Sequence, residues 1–205
     1  MRNKKLNKSI KITLLSVIAF LIMYIELPIP FFPEFLKIDV SDIPALIGAF
    51  AFGPLEGIII ELIKNILHGV FATKTAFIGE VANFLVGAVI VGTSGIIYRG
   101  NKTKKSAILA LAIGSIAMSI AAAMVNYYVL LPLYEKVLNV PIQASVELAS
   151  KVNPMVTDLW TFILWTIVPF NLIKGVFVSI ITLGMYKSVS PMLHKENAEN
   201  ELAKN

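Results

Sequence analysis

Residues 76–98 read AFIGEVANFLVGAVIVGTSGIIY, and RGNKTKK follows at 99–105. A helix needs about 20 mostly apolar residues to cross a bilayer. This run supplies them with one acid, Glu80, and one amide, Asn83. The basic cluster after it marks a cytoplasmic exit, because short cytoplasmic loops are enriched in Lys and Arg. The stretch therefore reads as a transmembrane span.

The rest of the chain repeats this plan. It has 205 residues, 57% hydrophobic and 15% charged, whereas a soluble domain is about 25% charged. The formal net charge of +5 sits in short clusters beside apolar runs, which fits membrane topology better than nucleic-acid binding. There is no cysteine, which excludes disulfide scaffolds, thiolate metal sites and cysteine nucleophiles.

Before residues 76–98, an apolar run from Ile10 to Leu27 follows the basic segment at 1–8. No small-residue cleavage site succeeds it, so it reads as an uncleaved first span. Residues 28–40 form a stiff apolar loop with three prolines and three phenylalanines. Ser41-Asp42-Ile43-Pro44 is a helix start, and this second run stops at Gly53-Pro54, which is short for a span. Leu55 to Phe71 is the third helix. Beyond the basic loop, Ser106 to Leu133 is a long span. Residues 134–158 are a polar insert, with a short surface helix expected over Val146 to Val152. Leu159 to Tyr186 is the last span.

The expected architecture is an all-α, multi-pass bundle of six transmembrane helices over 10–187, with tails at 1–9 and 188–205. The N-terminal cluster, the 99–105 loop and the C-terminal tail carry most of the Lys and Arg. If six helices alternate they share a side, so both termini are expected to be cytoplasmic in the cell membrane. Stripes of small residues, such as Ser115, Ser119 and Ala123, let such helices approach closely.

Polar side chains inside the membrane are costly and are functional candidates by default. Glu80 and Asn83 lie roughly 6–10 Å from the outer end of their helix, and Asn126 lies at a similar depth. Lys174 lies roughly 18 Å from the inner side, with Asn171 one turn further out on the same face. Three helices thus offer amides under the proline-rich loop, which describes an outward-opening pocket with an apolar lid. Leu36 and Lys37 are the lid residues expected to touch a ligand. Single asparagines also serve as interhelical hydrogen bonds, and Lys174 also suits an ion pair with Glu80 or another acid. On the third helix Glu61, Lys64 and His68 share a face, as a structural salt bridge or a proton relay. No nucleotide-binding motif and no catalytic signature occurs, so any ATPase is another chain.

Residues 35–46 (FLKIDVSDIPAL), followed by FGPLEG at 52–57 and KNILH at 64–68, resemble the loop and second-helix signature of the S components of energy-coupling factor (ECF) transporters. NYYVLLPLY at 126–134 and PFNLIKG at 169–175 resemble the riboflavin-specific branch. The resemblance implies a six-helix bundle that captures a vitamin outside. It also implies a transmembrane coupling protein and two ATPase subunits as partners. The family often carries an Ala-xxx-Ala docking pair on its first helix; here Ser16 and Ala19 stand in that region.

The implied ligand is riboflavin, with no cofactor and no metal. Its flat ring suits an apolar pocket with few oriented polar groups. Its pyrimidine edge matches asparagine amides, which both donate and accept, and lysine, which donates. Asn83, Asn126, Asn171 and Lys174 are the expected polar contacts. An S component for another small vitamin or base has the same scaffold with a different pocket. A membrane-embedded enzyme built on Glu61, Lys64 and His68 is the reading from another class.

Overall fold

The computed structural model describes the backbone of residues 2–202 and the side chains of residues 5–185. Its helices are α1 (Arg2–Met23), α2 (Asp42–Phe52), α3 (Pro54–Ala72), α4 (Ile78–Gly100), α5 (Lys104–Val125), α6 (Leu131–Leu138), α7 (Ile142–Ser150), α8 (Leu159–Phe162) and α9 (Val168–Leu202). A π-helical turn, Asn126–Leu130, joins α5 to α6, and another, Ile163–Ile167, joins α8 to α9. Each of these two groups is one continuous rod, giving seven rods among the described residues. Both segments expected as tails are helical in backbone where described.

Four rods are long and apolar enough to cross a membrane: Lys5–Met23, Ile78–Gly100, Lys104–Leu138 and Leu159–Met185. Their apolar side chains are exposed on the outside of the bundle, as at Leu14, Ile96, Ile116 and Ile180, because lipid is the solvent there. The expected six spans do not all meet that standard. The eleven residues of α2 extend only about 17 Å. The apolar run of α3 is broken by Glu56, Glu61 and Lys64. The extra helix, α7, is the surface helix expected at 146–152, shifted toward the N-terminus.

Gly53 joins α2 to α3 at φ 126°, a backbone geometry that a side chain would strain. Pro54 then opens α3, where its missing N–H costs nothing. The last rod opens with a capping box: Asp158 accepts the Thr161 amide at 2.8 Å, and the Thr161 hydroxyl accepts the Asp158 amide at 2.9 Å. The Thr161 amide N–H holds the Asp158 carboxyl below its ordinary pKa. The loop after α1 contains a two-residue antiparallel ladder, Leu27 opposite Ile38 and Pro28 opposite Lys37. That ladder is a small addition to the expected all-α fold.

Two apolar cores result. One, toward the termini, packs Leu46, Ala49, Ile60, Ile90, Tyr98, Leu111 and Val178. The other, toward the loops, gathers Ala122, Leu131, Val146, Ala149, Phe162 and Ile167, and ties α7 to the bundle. Ser16 and Ala19 are fully buried, so the small residues of α1 pack inward and are not open to a partner.

Candidate functional site

A cavity of about 600 Å³ lies in the loop half of the bundle, within the usual range for small-molecule sites. The six residues expected from the sequence to touch a ligand all line it: Leu36, Lys37, Asn83, Asn126, Asn171 and Lys174. Asn83 comes from α4, Asn126 from the first π turn, and Asn171 and Lys174 from α9. The loop adds Leu36 and Lys37, and α7 adds Ala144, Ser145 and Leu148 as a wall. A larger mouth of about 1140 Å³ adjoins it and shares Phe35, Lys37, Asp39, Thr75, Gly79, Asn83 and Leu148.

The two π turns border this space. Leu131 N–H donates to Asn126 O, and Val168 N–H donates to Ile163 O, each five residues back. Pro132 and Pro169 follow each turn. A proline has no N–H, so it cannot serve the carbonyl four residues earlier. The wide turns re-route the backbone bonding, as π-bulges commonly do at functional sites. The Ser119 hydroxyl donates to the Val168 carbonyl at 2.8 Å, satisfying one backbone acceptor beside Pro169.

The amides are set by their own helices. Asn126 Nδ2 donates to Ala122 O at 2.8 Å, and Asn171 Nδ2 donates to Ile167 O at 2.9 Å. Each leaves its amide oxygen for another donor. Among the described residues, the buried Oδ1 of Asn83 has no hydrogen-bond partner. Such an orphan costs about 1–3 kcal/mol.

Lys174 has acidic partners and lines the cavity as well. Its Nζ lies 2.9 Å from Asp39 Oδ2 and 3.2 Å from Asp42 Oδ2. Asp39 accepts the Lys174 hydrogen bond, whereas Asp42 Oδ2 is within ion-pair distance and accepts none, so the ammonium keeps N–H groups to offer the cavity. Behind it, Lys64 Nζ donates to Asp42 Oδ1 at 2.6 Å and reaches Glu61 at 2.8 Å. Asn65 Nδ2 donates to the Glu61 carbonyl. Glu80 is not the partner of Lys174: it lies 2.9 Å from His68 Nδ1 and accepts the Thr73 and Thr75 hydroxyls. The shared face of Glu61, Lys64 and His68 is therefore split. The first two join the Lys174 network, and His68 ties α3 to the start of α4.

Lys37 pairs with Glu26 at 2.9 Å in an exposed position, while Leu36 packs on the apolar core around Phe162. The loop is also held by rings, Phe32 against Phe170 and Phe35 against Phe162. Sequence reading did not single out Asp39, Asp42, Phe162 or Phe170. The demand of a buried lysine for an acid was visible, but Asp39 is 135 positions away and periodicity does not connect them.

With this geometry in hand, the chain can be set beside known proteins. The profile of the family described as ECF transporter, substrate-specific component, matches residues 7–186. The chain belongs to that family. This S component is 40% identical over 194 residues to "Riboflavin transporter RibU" of Staphylococcus aureus (strain TCH60), covering 95% of this chain and 94% of that one. It is 31% identical to "Riboflavin transporter FmnP" of Bacillus subtilis (strain 168), over 95% of this chain and 97% of that one. A solved structure titled "Structure and mechanism of the S component of a bacterial ECF transporter" matches with a TM-score of 0.72 and 37% identity, covering 94% of this chain and 99% of the other. The S component is thus a membrane transport protein and not an enzyme.

Proposed function

We propose that this S component captures riboflavin from outside the cell as the substrate-binding subunit of an ATP-driven ECF transporter. The observation that carries the reading is one cavity that gathers Asn83, Asn126, Asn171 and Lys174 from three rods, with Phe162 and Phe170 in its wall. Amide oxygens and a lysine N–H suit the alternating edge of the flavin and its ribityl hydroxyls. The rings suit its flat apolar body. Relatives named as riboflavin transporters support the choice of ligand over another vitamin.

In the proposed arrangement, α1, α2, α3, α4, the α5–α6 rod and the α8–α9 rod cross as six spans. Both termini are cytoplasmic and α7 lies outside. A transmembrane coupling protein and two ATPase subunits complete the transporter, since this chain has no nucleotide motif. Residues 28–40 serve as the lid, and bound ligand protects them from hydrogen exchange.

Titration of the purified chain with riboflavin, followed by flavin fluorescence, tests the ligand. Saturable quenching is expected; its absence in monodisperse protein sinks the proposal. Single cysteines in place of Lys102 and Glu147 test the arrangement. They label from opposite faces of intact cells, and labelling of both from outside refutes it.

A further inference from the structure

Lys174 has two carboxylates beside it where one neutralises it, and the two are held differently. Asp42 stands in the first turn of α2 and is almost fully buried, with its second oxygen gripped by Lys64 at 2.6 Å. Lys64 is braced in turn by Glu61 at 2.8 Å. Asp42, Lys64 and Glu61 do not line the cavity. Asp39 stands before α2, in the last part of the 28–40 loop, next to the ladder residue Ile38. It lines both the mouth and the inner cavity, and Ser41 donates to its Oδ1 through its amide and its hydroxyl.

We propose that these carboxylates have separate jobs. Asp42, fixed by Lys64, is a positioning residue that holds the Lys174 ammonium in the cavity wall. Asp39 is an exchangeable counter-ion on the entry path, released when the loop swings aside and restored when it closes. The inference rests on the reading of this cavity as the riboflavin site. Its physical basis is the penalty on a buried charge that loses its only partner. With Asp42 in place, Asp39 leaves with the loop and Lys174 is never stranded. A lysine with one counter-ion, on the loop, would be held shut by that pair.

Stopped-flow flavin fluorescence on the full chain, with riboflavin as probe, separates the two jobs. Asp39→Asn leaves Lys174 paired with Asp42, so the fold keeps a compensated cation. Association and dissociation are both expected to accelerate, by about fivefold or more, as for removal of a gate rather than of a contact. The second variant is the triple Asp42→Asn, Glu61→Gln, Lys64→Met. It removes two carboxylates and one ammonium, so that Asp39 and Lys174 remain as a neutral pair, and it keeps every lining residue. With its one counter-ion on the loop, it is expected to slow association and dissociation together, by about tenfold. Asp39→Asn that changes neither rate, or dissociation only, overturns the proposal, and it decides alone if the triple does not fold. A folded triple with wild-type rates overturns it as well. Wild-type protein that binds no riboflavin instead counts against the reading of the cavity.

Discussion

Where Phe50 meets Tyr98, with ring centroids 4.3 Å apart, the helices meet through glycines. A Cβ on Gly57 would lie 2.8 Å from the Ala45 carbonyl, one on Gly95 would lie 2.9 Å from Pro54 Cα, and one on Gly114 would lie 3.1 Å from the Ile90 carbonyl. Around Lys174 the same bundle is irregular: two π turns, two prolines and a buried ion network. Lipid gives apolar helices no reason to cluster, so the terminal half associates by close fit of small residues. The loop half keeps room for a ligand. Its opened backbone is tolerated because the freed groups find partners inside the protein.

If the halves are built on different principles, substitutions in each should fail differently. Lys174→Met has the largest expected effect. It leaves Asp39 without its lysine, and Asp42 with Lys64 alone, which costs about 3–5 kcal/mol of stability, and it also weakens riboflavin binding. Unfolding and fluorescence titration in one detergent read both. Unimpaired stability would mean that the ion network is not what holds the loop half. Gly57→Val comes next, at about 1–3 kcal/mol from overpacking, with affinity per folded molecule expected to match wild type. Lost affinity there would show that the terminal half shapes the cavity. Asn171→Ala is expected to lower affinity by roughly 5- to 150-fold, the equivalent of about 1–3 kcal/mol, with a smaller change in stability because its amide hydrogen bond is to its own helix. Equal affinity in the folded variant moves the polar contacts toward Asn83 and Asn126. Lys37→Ala is the mildest in stability, since its pair with Glu26 is exposed and such pairs contribute about 0–1 kcal/mol. A larger stability loss by thermal unfolding would mean that the loop is anchored through Lys37.

The long spans were legible because hydrocarbon imposes length and apolarity on them. The gathering of Asn83, Asn126, Asn171 and Lys174 around one cavity was legible by depth arithmetic, since 1.5 Å per residue places a side chain well within an apolar run. Helix α3 was harder. Its charges looked like an end-of-helix salt bridge, whereas Glu61 and Lys64 are fully buried because Asp42 of α2 completes their pairing. Pro132 and Pro169 signalled interruptions but not wide turns, which depend on how the surrounding rods satisfy the backbone. Asp39 was read as part of an apolar lid. Its role as partner to Lys174 follows from tertiary contact, which no local pattern encodes.

The mouth and the cavity together have an electrical consequence. They carry space open to solvent from the loop face down to Lys174, while the Phe50–Tyr98 half is close-packed. A membrane voltage falls across the insulating layer, so in the proposed orientation most of it falls across the terminal half. Moving one elementary charge through the full potential involves about 2.3 kcal/mol per 100 mV. Riboflavin carries no net charge, and the Asp39 carboxylate proposed to move lies on the solvent-open mouth, so loading from outside is expected to be insensitive to whether the cell is polarised.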